Sequence, residues 1–271
     1  MAASLLRGAS AEALADLGER LGKPATLAEA ATTGDELFSV SQLLRADAAL
    51  RRVATDASLP AEAKQGLARQ IFEGKVGDAS LAIVESAFGH RWTSPRDLSD
   101  ALERLSEVAT ARSTGAKADR LADELFGVGQ LVATNPELRD ALANPGRSVD
   151  DRVALVEAVL GDKVLPATVT LTKQALAGTY GTLTAALEVY RRVVADTVGE
   201  AVATVRVAQP LSEAERDRLR TALSRQYGRE VHVNEVVEPE VIGGVRVEIG
   251  DDVIDGTVAG RLDDARRRLA G

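Results

Sequence analysis

Apolar residues recur at helical spacing through most of the chain. Leu102, Leu105 and Val108 form one such set, and Leu121, Leu125 and Val128 form another that Leu131 and Val132 continue. Each set falls on one side of a helix with 3.6 residues per turn. Asn135-Pro136 interrupts the pattern, because the residue before a proline avoids the helical region. Ser148 precedes the next stripe (Val153, Val156, Val159, Leu160), with Asp151 in capping-box position and Gly161 placed to end the helix. Leu165-Pro166 opens another helix, since proline suits a first turn, and a last one is predicted from about Thr182 to Asp196. Upstream, Pro60 precedes a helix holding Leu67 and Ile71, and Gly74 follows it.

Near Gly199 the period changes from helical to alternating. Ala203, Val205 and Val207 alternate with Val202, Thr204 and Arg206, which predicts a strand ended by Pro210. Ser212 with Glu215 forms a capping box for a helix carrying Leu219, Leu223 and Tyr227, with Gly228 as its stop. Val231 and Val233 begin a second strand. Val245 to Ile249 is a third, Gly250-Asp251-Asp252 a turn, and Val253-Ile254 the return strand of a hairpin. A final helix is expected around Leu262, Ala265 and Leu269.

The helical part contains a duplication. Asp35-Glu36-Leu37-Phe38 recurs 88 residues later as Asp123-Glu124-Leu125-Phe126. At that offset residues 11–88 align with 99–176 without gaps, and 21 of the 78 pairs are identical. Chance in so alanine-rich a chain gives roughly seven, so the copies are related, and a period this long is domain-sized. The expected fold is therefore mostly α: two tandem six-helix-type bundles, 1–95 and 96–198, followed by a small α/β domain with a β-hairpin, 199–271.

Composition narrows the chemistry. Aromatics are only 3% of residues, so the cores must be built from Ala, Leu and Val. The net charge of −8 opposes nucleic-acid binding, which needs a cationic surface. Cysteine is absent, which removes thiolate nucleophiles and cysteine metal sites. No run approaches the ~18 apolar residues of a membrane span, and the start of the chain lacks the pattern of a signal peptide. Membrane association is expected only through partners.

One stretch carries a specific resemblance. Gly243-Gly244 precedes the alternating strand Val245 to Ile249; then come Gly250-Asp251, Ile254-Asp255-Gly256, Thr257, and Leu262 in the last helix. This arrangement resembles the C-terminal signature of ATP synthase delta subunits, the family that includes the mitochondrial oligomycin-sensitivity-conferral protein. The similarity covers about 99–271, and the extra N-terminal copy is similar to an extended actinobacterial form. The resemblance implies a non-catalytic stator subunit of a proton-translocating ATP synthase, peripheral to the cytoplasmic face of the membrane, without cofactor or metal. It implies two partners, the N-terminal helix of an alpha subunit and the C-terminal helices of subunit b. Family members grip the alpha helix between the first and fifth helices, which in the second copy implicates Leu102, Leu105, Val108, Val169, Leu171 and Leu176. The signature itself (Gly243, Gly244, Gly250, Asp251, Ile254, Asp255, Gly256, Leu262) is expected to shape the platform for subunit b. Ordinary turn chemistry accounts for its Gly and Asp residues equally well.

Competing chemistry finds little footing. There is no G-x-x-x-x-G-K-[ST] loop and no G-x-G-x-x-G fingerprint. The Asp/Gly cluster at 250–256 lacks the alternating ligands of a calcium loop. His90 and His232 stand in different domains, with no nucleophile elbow near either. Trp92, whose counterpart in the other copy is Tyr180, is expected to pack a helix end, and Arg266 to Arg268 to complement the dipole of the last helix. The alternative reading is a helical adaptor whose hairpin only mimics the signature.

Overall fold

Most helices begin where a side chain or a proline serves the free amides of the first turn. The computed structural model describes residues 6–22, 24–144, 146–198, 201–227, 231–238, 243–249 and 252–255. Among these, eleven α-helices precede the first strand: α1 Ala9–Leu21, α2 Leu27–Ala46, α3 Ala48–Ala54, α4 Ala61–Phe72, α5 Asp78–Gly89, α6 Pro95–Arg112, α7 Ala118–Thr134, α8 Pro136–Ala143, α9 Val149–Leu160, α10 Pro166–Ala177 and α11 Leu183–Val198. Thr26 accepts from the Glu29 amide at 3.0 Å, the Asp47 carboxylate from the Ala49 and Leu50 amides at 2.9 Å, and Ser148 from the Asp151 amide at 3.0 Å. Prolines open α6, α8 and α10, where the missing N–H costs nothing. Gly161 ends α9 at φ 37°, in the left-handed region that favours glycine.

The repeat offset reappears in the helices. Ala48 and Pro136, Ala61 and Val149, Asp78 and Pro166, and Pro95 and Leu183 all start helices and stand 88 residues apart. The repeated Asp-Glu-Leu-Phe motif does the same work twice. Leu37 and Leu125 are fully buried. The Glu36 carboxylate accepts from the Gly77 amide at 3.0 Å, at the head of α5, and the Glu124 carboxylate accepts from the Leu165 amide at 2.7 Å, at the head of α10. An anion at a helix N-terminus satisfies an orphan donor and complements the dipole.

The chain divides into two compact units, Met1–Val194 and Ala195–Gly271. Within the first, two apolar cores form. One gathers Leu17, Leu37, Leu44, Phe72, Val84 and Phe88 with Leu98, Leu102 and Leu105 of α6. The other gathers Leu121, Leu125, Val156, Leu160, Leu171 and Tyr190. The expected boundary between 95 and 96 thus falls at the first residue of α6, whose leucines complete the core upstream of it. Trp92 packs on the first core and donates to the Ala87 carbonyl at the end of α5 at 2.9 Å, the expected helix-end role.

The second unit is a small α/β fold. Strands β1 Ala201–Val207, β2 Val231–Val237, β3 Val245–Ile249 and β4 Asp252–Asp255 form one sheet in the order β2-β1-β3-β4. β1 and β2 are parallel (Ala201 opposite Val231) and are connected through α12 Glu213–Tyr227; β1 and β3 are antiparallel (Val205 opposite Val247). Ser212 and Glu215 cap α12 reciprocally, as expected. Ala203, Val205, Val207, Val231, Val247 and Ile249 meet Leu223 of α12 in the core, which is the alternation read from the sequence. The expected final helix, with Arg266 to Arg268, lies outside the described residues.

Candidate interaction site

The middle of the helical unit is organised by α6. Leu98, Leu102 and Leu105 project into the first core. The opposite side of the same helix carries Glu103 and Glu107, each 1% exposed. Buried carboxylates are tolerated when hydrogen bonds replace their water. Glu103 accepts from the Thr179 hydroxyl at 2.9 Å and its amide at 3.2 Å, and it pairs with Arg45 of α2, which also reaches Asp100 at 3.0 Å. Glu107 accepts from the Tyr180 hydroxyl at 2.8 Å and from Arg104 at 3.0 Å. Burial nevertheless pushes the Glu107 carboxyl up to about 7, against the opposing pull of Arg104. Burial also raises the Tyr180 hydroxyl above the usual phenol range, and the neighbouring Glu107 adds to it.

Helix α2 covers much of α6 and reaches α10. Gly34 lies against the backbone of Ser106 and Thr110. Gln42, with its amide turned to satisfy both partners, donates to the Ala177 carbonyl at 3.2 Å and accepts from Arg45 at 3.0 Å. Ser106 in turn donates to the Gln174 side chain of α10 at 3.3 Å. The groove expected between the first and fifth helices of the second copy, α6 and α10, is therefore not open along its length. Leu102 and Leu105 are buried in the first core and Leu171 in the second; Val169 and Leu176 are half-buried against the second core, and Val108 is half-buried on α6. The physical reason is α2, whose buried face of Ala30, Gly34, Leu37, Ser41 and Leu44 lets it approach α6 closely. Nothing in the spacing of α6 alone reveals this. The signal lay in Gly34 of α2, set opposite Ser106 and Thr110.

The signature residues of the second unit are placed as follows. Gly243 and Gly244 lead into β3 at φ 65° and 80°, a conformation that residues with a β-carbon rarely adopt. Ile254 stands opposite Val247 across the β3–β4 hairpin and packs on the core. The Asp255 backbone pairs with Arg246 at the end of the same hairpin. Gly250, Asp251, Gly256 and Leu262 lie outside the described residues.

Duplicated helical repeats with a buried polar joint, followed by an α/β module that carries a β-hairpin, define the class of two-part, helical-plus-α/β subunits. The family model of the ATP synthase delta (OSCP) subunit matches residues 100–269. An ATP synthase subunit delta from a Nocardioides species is 54% identical over 270 residues, spanning 99% of this chain and 98% of that protein. Those of Thermobifida fusca and Streptomyces coelicolor are 40% and 39% identical, each spanning 98% of this chain. The chain belongs to the ATP synthase delta (OSCP) family, in the extended form these relatives share. It is a non-catalytic component of the peripheral stalk. No helix among the described residues is long and apolar enough to cross a membrane.

Proposed function

We propose that this subunit holds the catalytic head of a proton-translocating ATP synthase to its peripheral stalk and resists the torque of the rotor. In this reading the helical unit is two six-helix bundles sharing α6, and it takes the N-terminal helix of an alpha subunit. The α/β unit takes the C-terminal helices of subunit b on a platform shaped by the signature from Gly243 to Leu262. The complex lies at the cytoplasmic face of the membrane, which this chain reaches only through its partners. The observation that carries the reading is the full-length similarity to delta subunits, both copies and the α/β unit included.

The physical arrangement supports it. A torque-bearing link benefits from stiffness, and α6 contributes to one core while its polar side is locked to the Thr179–Tyr180 turn before α11 and to α2. Calorimetric titration of the whole chain with an alpha N-terminal peptide and a subunit b C-terminal peptide tests it. Both should bind at one per chain. Cutting after residue 238 removes β3 and β4; it should abolish b binding and leave alpha binding. Retained b binding in the truncated chain overturns the assignment of the platform.

A further inference from the structure

The turn between α10 and α11 closes over both buried carboxylates of α6. Thr179 is exposed, yet its hydroxyl and amide donate to Glu103, and the Tyr180 hydroxyl donates to Glu107. Gly178 lies so close that a β-carbon there would collide with the Glu103 carboxylate and stand 3.0 Å from the Gln174 carbonyl. Gly181, at the far end of the turn, is exposed, and a β-carbon there would meet nothing within 4 Å. A surface turn thus supplies three of the hydrogen bonds on which two carboxylates, each 1% exposed, depend.

Among the described residues these carboxylates face Arg104 and Asp100 on their own helix, Arg45 from α2, Tyr180 from the turn and Tyr190 from α11. From α10 comes the neutral Gln174, which accepts from Ser106 at 3.3 Å. Arg45 is shared between Asp100 and Glu103. With Glu107 ionised, three carboxylates face two guanidinium groups, and one buried charge lacks full compensation. With Glu107 protonated the charges balance, and its carbonyl oxygen still accepts from Tyr180. The Tyr190 ring packs edge-to-face on Tyr180 at 5.5 Å, and its hydroxyl is fully buried with no hydrogen-bond partner among the described residues. Water admitted under the turn would hydrate both the surplus anion and this hydroxyl.

We infer that the turn from Gly178 to Gly181 is a proton-controlled latch, closed over α6 while the Glu107 carboxyl is protonated and released when it ionises. Burial holds that carboxyl at about 7, against the pull of Arg104 and Tyr180, whereas in an open joint it returns toward 4.5. The closed form therefore binds the extra proton. Its advantage is complete below about 4.5 and is lost as pH rises through about 7. The latch stands just before α11, which runs from the first compact unit, ending at Val194, into the second, beginning at Ala195. A falling pH thus tightens the anchorage of the helix that joins the two units. The inference goes beyond the stator reading and does not depend on which partner either unit takes.

The experiment uses the full chain, which has no cysteine of its own, with a spin label on Gly181→Cys. The mobile fraction of the label should rise at least tenfold between about pH 5 and 8 and level off above about 7, with helical circular dichroism unchanged. The ceiling set by the two carboxyl values is about 300-fold. Adding Glu107→Gln, which is neutral and keeps an acceptor for Tyr180, should leave the label immobile throughout. Mobility that does not change with pH overturns the inference. So does a pH response that Glu107→Gln leaves undiminished, since another group would then be titrating. If Glu107→Gln melts early, hydrogen exchange of the Thr179 amide in the unlabelled chain carries the test. Its protection, corrected for the intrinsic exchange rate, should fall over the same range, and constant protection overturns the latch.

Discussion

Gly34 on α2 faces Thr110 on α6 across a gap too small for a methyl group. A β-carbon at Gly34 would collide with the Thr110 hydroxyl, and it would lie 3.2 Å from the Thr110 amide nitrogen and 3.3 Å from the Ser106 carbonyl. At the equivalent place in the second copy stands Ala122, 3% exposed, so the close approach belongs to the α2–α6 contact. Gly34→Ala gains about 1 kcal/mol of helix propensity but forces apart two packed helices. A net loss of about 1–3 kcal/mol is expected. Thr110→Ala removes the hydroxyl in the way, one that has no hydrogen-bond partner among the described residues. The double variant should therefore lose less than the sum of the single ones in urea melts. Additive losses would show that the hydroxyl is not what Gly34 avoids.

The two capping glutamates make a matched pair of tests. Glu36→Ala leaves the Gly77 amide unpaired, and Glu124→Ala leaves both the Leu165 amide and the Thr168 hydroxyl without their acceptor. Each should cost about 1–2 kcal/mol, as lost helix caps do. Glu124→Ala should cost the more, because Thr168 is fully buried. Glutamine keeps one acceptor oxygen and should recover part of each loss. Thermal melts of the four variants check the order.

Much of this was legible in the sequence, and the misses have one cause. Period and punctuation placed several helix ends: Ser148 and Pro166 start helices, Asn135-Pro136 breaks one and Gly161 ends one, each where its chemistry predicts. The alternation from Val245 to Ile249 gave β3 its full length and its inward face. The failure was at α6. Its Leu102–Leu105–Val108 stripe reads as an ordinary amphipathic face, and nothing in it marks Glu103 and Glu107 as buried. Both glutamates are buried because Arg45, Thr179 and Tyr180, which lie 58 to 76 residues away in the chain, supply their hydrogen bonds. A single-helix pattern cannot register partners at that distance. For the same reason the spacing of α6 and α10 alone does not show that α2 packs against them.

The buried Glu107 makes stability depend on pH in an unusual direction. Its folded pKa, about 7, lies above the ordinary glutamate value of 4.5. Between these values the folded state binds the extra proton, so stability should fall as pH rises from about 4.5 through 7. The contribution is fully present below the lower value and lost above the upper one, and it amounts to at most about 3 kcal/mol. Glu107→Gln removes the titration while keeping an acceptor for Tyr180. Urea melts at pH 5 and pH 8 should show that the variant loses less stability on going alkaline than wild type does. Equal slopes would mean that Glu107 is ionised throughout, held by Arg104 and Tyr180.

The sharing of α6 predicts where the first copy can be cut. A fragment ending at 95 contains α1 to α5 but lacks Leu98, Leu102 and Leu105, which are at most 2% exposed and belong to its core. Burying each such leucine contributes about 1.5–3 kcal/mol, so the three together approach the 5–15 kcal/mol that stabilises a whole domain. The fragment also exposes the α2 face that Ser106 and Thr110 cover. It should have helical circular dichroism at most, without a cooperative melt. Extending it to residue 113 restores the leucines, and Glu103 and Glu107 then meet water, where their charges are cheap. The longer fragment should melt cooperatively. If the shorter one melts as sharply and at the same temperature, α6 is not part of the first core's stability, and the duplication consists of two separable bundles divided at 95.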